Sequence, residues 1–249
     1  MLQAKNLIKS FGSLVAVDDV SLELGRDGRE QLFIVGPNGA GKTTLVNLLT
    51  GQLNPDTGTI ELEGRDITEM APGERVGEGL VRSFQLVHIF DDMTVRENLR
   101  TALFSREGLT LKMIAHEESF PEVEDEIDEL LEEFGLPQKG DTEASDLSHG
   151  DRKLLDVAIT FALEPQYLLL DEPTSGVGQR EKNELIKTIV EASTRYGISL
   201  LVIEHDMDLV QEYADRIIAL HQGKILTEGS PELIDTDEEL RSTLLGVQT

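Results

Sequence analysis

The stretch Gln31-Leu-Phe-Ile-Val-Gly-Pro-Asn-Gly-Ala-Gly-Lys-Thr-Thr-Leu-Val-Asn-Leu-Leu49 decides the fold. Its apolar start reads as a strand, Gly36 to Thr43 as a glycine loop, and the run from Thr44 as a helix. Glycine at 36, 39 and 41 permits backbone turns that a Cβ would forbid, so successive N–H groups can point into one concavity and hold phosphate oxygens. The helix that follows aims its positive end at the same place. Lys42 adds a cation for the β- and γ-phosphates, and the Thr43 hydroxyl is placed to ligate Mg²⁺. Pro37, Asn38, Ala40 and Thr44 complete the loop. The spacing predicts a nucleoside triphosphate site.

Residues 167 to 173, Tyr-Leu-Leu-Leu-Asp-Glu-Pro, read as a short buried strand ending on two carboxylates. Ligands of parallel sheets bind at the carboxyl ends of strands, which puts Asp171 where it can hold Mg²⁺ and Glu172 where it can orient or deprotonate a water. An acidic pair alone would be a solvated strand end; beside a phosphate loop it gains a role. Leu147-Ser-His-Gly-Asp151 precedes a helical run from Arg152 to Leu163, and Ser148 can cap that helix. By itself this is a helix start. Further signals are antiparallel strands at Leu2 to Ile8, Val15 to Leu24 and Thr59 to Glu63, and a helix from Asn183 to Tyr196 stopped by Gly197. Val123, Ile127, Leu130, Leu131 and Phe134 form one apolar face on an otherwise acidic helix, the pattern of ordinary core.

Composition narrows the partners. Asp plus Glu number 48 against 22 for Lys plus Arg, a net charge of −26 in 249 residues with pI near 4.4. Nucleic acid is excluded as an expected partner, because its binding relies on basic patches. The acids recur along the whole chain. At molar salt the Debye length falls to about 3 Å, so self-repulsion is screened, and a halophilic source is expected. Cysteine is absent, which removes disulfides and thiolate metal sites. No apolar run approaches the ~20 residues of a membrane helix, and no export signal is expected.

Ser148 lies 23 residues before Asp171, and in that order the sequence resembles the ATP-binding subunits of ABC transporters, whose signature LSGGQ occupies this position. The resemblance covers essentially the whole chain. It implies an α/β fold of the P-loop NTPase class and ABC ATPase type: a mixed sheet core, an antiparallel β subdomain and an inserted helical subdomain. One ABC ATPase domain would span 1–249, with the core and β subdomain at 1–85 and 166–249 and the helical part at about 86–165. Gln85 corresponds to the family glutamine that touches Mg²⁺ and the attacking water, and His205 to the switch histidine at the γ-phosphate. Phe11 looks like the aromatic that stacks on adenine, with burial in the core as the alternative. ATP and Mg²⁺ are implied, with Glu172, His205 and Gln85 catalytic. Two ATPase subunits, identical or not, would pair head to tail, so that Ser148 and Gly150 of one complete the ATP site of the other. The chain departs from the family at His149 and Asp151, where LSGGQ has Gly and Gln, and at Gly178, where an Asp or Asn is usual.

The stretch Gly79-Leu-Val-Arg-Ser-Phe-Gln85, Phe90, Met93 to Leu99 and Gly223 to Gly229 resemble the branched-chain amino-acid importer subgroup; urea and short-amide importers share it. That implies permease subunits as direct partners, a solute-binding protein as an indirect one, and a peripheral place on the cytoplasmic face of the membrane. Leu86 to Met93 carries five large apolar residues in eight, which suggests a docking surface for the permease or, alternatively, packing into the helical part. A soluble ABC ATPase, such as one for cluster assembly, is the rival reading.

Overall fold

The computed structural model describes residues 1–26, 28–83, 89–108 and 120–245. Two sheets organise it. The first holds β1 (Leu2–Phe11), β2 (Leu14–Leu24), β4 (Thr57–Leu62) and β5 (Arg65–Asp66) in the order β2-β1-β4-β5, with antiparallel neighbours. Burial alternates at Leu2 and Ala4; then Asn6, at φ 50°, falls within a register shift against β2, and the next buried residue is Leu7, one position out of phase.

The second sheet has the order β10-β9-β3-β8-β7-β6, built from β3 (Gln31–Val35), β6 (Leu80–Ser83), β7 (Tyr167–Asp171), β8 (Ser199–Ile203), β9 (Arg216–His221) and β10 (Lys224–Gly229). β6, β7, β8, β3 and β9 run parallel, and β10 closes the edge antiparallel to β9. Every residue of β3, β7 and β8 is buried. That explains their unbroken apolar runs, since both faces of a parallel sheet are covered. The faces sort by alternation. Phe33, Val35, Leu168, Leu170, Leu200 and Val202 join the core shared with the helices, whereas Leu32, Ile34, Leu169, Leu201 and Ile203 join the core shared with α1 (Lys42–Leu49) and the antiparallel sheet.

α2 (Pro72–Gly77) precedes β6, and α3 (Val95–Arg106), α4 (Pro121–Glu133) and α5 (His149–Phe161) supply the helical region. Thr94 caps α3 in a capping box with Glu97. The apolar stripe of α4 is core: Val123, Ile127, Leu130, Leu131 and Phe134 are all buried. Its acidic face is held to α3 by cations, with Arg100 Nε 2.7 Å from Glu124, Arg96 Nη2 2.7 Å from Asp128 and Arg106 Nη1 2.6 Å from Glu126. α6 (Gln179–Tyr196) begins four residues ahead of the expected Asn183, because its first turn is polar and Gly178 offers no capping side chain. It stops at Gly197, φ 73°, as the sequence signals. α7 (Met207–Tyr213) follows β8, and α8 (Leu233–Thr236) and α9 (Glu238–Leu245) end the described chain. Among the described residues no helix is long and apolar enough to cross a membrane.

Candidate nucleotide site

The carboxyl ends of parallel β3, β7 and β8 emerge along one edge, so the described segments following these three strands meet there. After β3, Gly36 has φ 147° and a Cβ on it would lie 2.2 Å from the Leu220 carbonyl oxygen. Gly41, φ 102°, would put a Cβ 2.3 Å from the Ala16 carbonyl oxygen. Both positions therefore require glycine. Gly41 is also the N-cap of α1, without a side-chain cap, and the first turn carries no acid. Its free N–H groups and the positive helix end are left for an anion.

Lys42 opens α1 almost fully buried, its Nζ donating to the carbonyls of Gly36 at 2.7 Å and Pro37 at 3.0 Å. Burial pulls its pKa below the ordinary lysine value, while the charges of Glu172 and Asp171 oppose that shift. The loop residues Asn38 to Thr44 line a cleft of about 580 Å³ whose opposite wall is Phe11, Leu14 and Val15, with Glu172 at its edge. Phe11 is 49% exposed. A place in the core, the alternative reading, is overturned: among the described residues no second layer covers the hairpin tip that carries Phe11, Leu14 and Val15.

β7 brings Asp171 and Glu172 to this edge. The Asp171 side chain is buried, its Oδ2 accepting from Arg82 Nη2 at 2.8 Å. Its Oδ1 is buried and has no hydrogen-bond partner among the described residues. Burial raises the carboxyl pKa and Arg82 counteracts it. Mg²⁺ is ordinarily held by one or two carboxylates together with substrate phosphates. An orphaned carboxylate oxygen with the exposed Thr43 hydroxyl in the neighbouring cleft fits that requirement. Glu172 sits at φ 52°, a conformation rare for a side-chain-bearing residue, and donates its N–H to the Ile203 carbonyl at 3.0 Å.

His205 follows β8, its Nε2 2.9 Å from Glu172 Oε1. Glu204 escaped the sequence reading. It is buried and accepts from the His205 N–H at 2.9 Å, the Asp206 N–H at 3.3 Å and the Thr174 hydroxyl, which fixes the histidine loop to the segment after Glu172. An acid directly ending a buried strand was the signal that could have revealed it. Arg82 was missed too; a lone arginine in a strand has no comparable signature. Gln85 lies outside the described residues, as do Leu86, Val87 and His88. Of the rest of that apolar segment, Ile89 packs on the helical core and Phe90 is 54% exposed.

Ser148 is the N-cap of α5 and accepts the Asp151 N–H at 3.1 Å. Ser148 and Gly150 line a different cleft with Lys139, Glu181 and Glu184, sharing no lining residue with the phosphate loop. One chain thus gathers the loop, Glu172 and His205, and holds Ser148 and Gly150 apart. His149 packs on the loop after Glu172: its Nε2 lies 3.4 Å from the Ser175 carbonyl, and a Cβ on Gly176 would approach it to 2.8 Å.

Residues 17–175 match the family described as ABC transporter. The chain is 40% identical over 255 residues, 99% of its length and 98% of the relative's, to the high-affinity branched-chain amino acid transport ATP-binding protein LivG of Salmonella typhimurium. The LivG protein of Escherichia coli K12 is 39% identical over the same shares. Among solved structures, the ADP conformation of MJ1267, an ATP-binding cassette of an ABC transporter, superposes with a TM-score of 0.85 at 31% identity, covering 99% of this chain and 98% of that one.

Proposed function

The chain belongs to the ABC transporter family as a nucleotide-binding, ATP-hydrolysing cassette, and from that premise we propose that it energises an importer of branched-chain amino acids. The relatives' names support the cargo; the chemistry rests on the phosphate loop, Glu172 and His205 meeting at one sheet edge. Adenine stacks on Phe11, and the triphosphate lies along residues 36–44. There Lys42 exchanges its loop carbonyls for phosphate oxygens, a stronger, charge-assisted contact. Thr43, Asp171 and Gln85 would hold Mg²⁺, which neutralises charge on the transferred phosphoryl group. Glu172 and His205 position the attacking water.

Ser148 and Gly150, which line a separate cleft of their own chain, act on the nucleotide of a second ATPase subunit. The γ-phosphate then bridges two subunits and its loss releases them, so ATP drives closure by its differential affinity for the closed state. Permease subunits receive that motion at the cytoplasmic face of the membrane, where this chain sits peripherally, and a solute-binding protein supplies the cargo.

Two measurements test the reading. Lys42→Ala should lose equilibrium ATP binding itself, and retention of parental affinity would overturn the loop assignment. The tagged chain should copurify with a multispanning permease, and vesicles reconstituted with that permease and its binding protein should accumulate leucine, isoleucine or valine on ATP addition. Recovery with soluble partners alone would defeat the importer role, and uptake of urea without leucine would change the cargo.

A further inference from the structure

Arg82, near the end of β6, is nearly buried and reaches two elements of the site. Its Nη2 donates to Asp171 Oδ2 at 2.8 Å, and its Nη1 donates to the Asn47 side-chain oxygen at 2.5 Å. Asn47 stands on α1, the helix whose first turn carries Lys42 and Thr43. One guanidinium therefore spans the strand that ends in the acidic pair and the helix that begins with the phosphate loop. The bridge takes one oxygen of Asp171 and leaves the other, buried and partnerless among the described residues, for a ligand.

We propose that Arg82 is a positioning residue for the magnesium site: by clamping Asp171 Oδ2 to Asn47 it fixes the carboxylate plane and keeps Oδ1 available to the cation. This rests on the reading of Asp171 as a metal-holding residue. A planar guanidinium suits the task, because its donors are held at fixed angles and can serve two acceptors at once. Outer partners that orient a ligating carboxylate commonly account for 10- to 100-fold in metal affinity. The cationic head beside the carboxylate repels the metal, a smaller opposing effect while the clamp sets the geometry.

The test uses the full chain saturated with a non-hydrolysable ATP analogue, with bound Mn²⁺ counted by electron paramagnetic resonance and analogue affinity measured separately in EDTA. Arg82→Gln should weaken Mn²⁺ binding by roughly 10-fold or more and leave metal-free nucleotide affinity unchanged. Arg82→Lys should recover part of the loss. Parental or tighter Mn²⁺ binding in Arg82→Gln overturns the proposal, as does an equal loss of metal-free nucleotide binding, which would mark a support for the fold alone. Asp171→Asn separates the premise from the inference. If it binds Mn²⁺ normally, the reading of Asp171 fails; if it loses Mn²⁺ while Arg82→Gln keeps it, only the role of Arg82 fails. Should Arg82→Gln not fold, Asn47→Ala decides: it removes one anchor of the clamp, Mn²⁺ affinity should fall several-fold, and no change counts against the proposal.

Discussion

The imidazole Nε2 of His205 lies 2.9 Å from Oε1 of Glu172, a contact between residues 33 apart that the parallel pairing of β7 with β8 brings within reach. Asp171 registers with Ile203, and the next residue of β7's chain turns back to donate its N–H to Ile203. The carboxylate and the ring therefore face each other at the edge of the nucleotide cleft. Glu172→Gln keeps the shape and removes the basic oxygen. Turnover should fall by about 10²- to 10⁴-fold, the usual share of a general base, with ATP affinity kept and a closed pair accumulating on size exclusion. Hydrolysis at the parental rate would remove Glu172 from the chemistry.

Asp151 stands where the family signature has glutamine, and it accepts a hydrogen bond from the very hydroxyl that the signature would offer to phosphate. Ser148 Oγ donates to its Oδ2 at 2.5 Å, and Lys139 Nζ is 2.6 Å from the same oxygen. Burial pushes the Asp151 pKa up, but the Lys139 and Ser148 bonds outweigh it and hold the carboxyl below its ordinary value. The group is ionised at neutral pH and, in the proposed pair of subunits, would face the γ-phosphate held by the second. Asp151→Asn should lower KM for ATP about fivefold, since like charges at this range repel on the order of 1 kcal/mol. Steady-state kinetics at fixed Mg²⁺ check this. The sign of the stability effect is opposite. A depressed folded pKa contributes stability above the unfolded value, near 4, that is lost as pH falls through the lower folded value. Acid titration of the variant should lack that component.

Periodicity alone puts the glycine loop, the Asp171–Glu172 pair and the Ser148 cap at element ends, whereas His205 is singled out only by the family resemblance and Ser148 takes its expected role from the same source. Buried strands show as unbroken apolar runs, and their ends mark where ligands collect. Arg75 was invisible for the converse reason. It sits in Pro-Gly-Glu-Arg-Val-Gly-Glu-Gly, a polar stretch where any cation reads as solvated, yet it is fully buried and donates to the carbonyls of Leu48, Leu49, Thr68 and Met70. Nothing local announces a residue whose partners lie on other elements. Phe11 was ambiguous until the hairpin tip was seen to be uncovered.

Arg75 is the buried tie between the end of α1 and the segment that follows β5. Burial lowers its pKa, with the charges of Glu69 and Asp66 opposing. Gly51 accommodates it: a Cβ there would lie 2.7 Å from Arg75 Nε. Arg75→Met preserves volume but leaves four carbonyls without this donor. At ~1–3 kcal/mol for a buried polar group stripped of its partner, the loss should exceed ~3 kcal/mol in urea unfolding. A change below ~1 kcal/mol would mean that water replaces the guanidinium at once.

The acid excess makes salt the last test. Arg96, Arg100, Arg106 and Arg216 each already hold a carboxylate, and the net charge of −26 is the excess of carboxylates over cations in the chain. Exposed pairs contribute ~0–1 kcal/mol each and weaken with salt. The summed repulsion of the unpaired acids weakens as well, and it acts over the whole surface. If repulsion dominates, raising KCl from 0.1 to 2 M should stabilise the fold by ~2–3 kcal/mol, lifting Tm by roughly 5–10 °C for a chain of this size. Thermal melts across that series, repeated with NaCl to separate screening from specific ion binding, measure it. A flat or falling Tm would show that the arginine pairs hold more of the stability than the acid excess removes, and the expectation of a high-salt cytoplasm would fall with it.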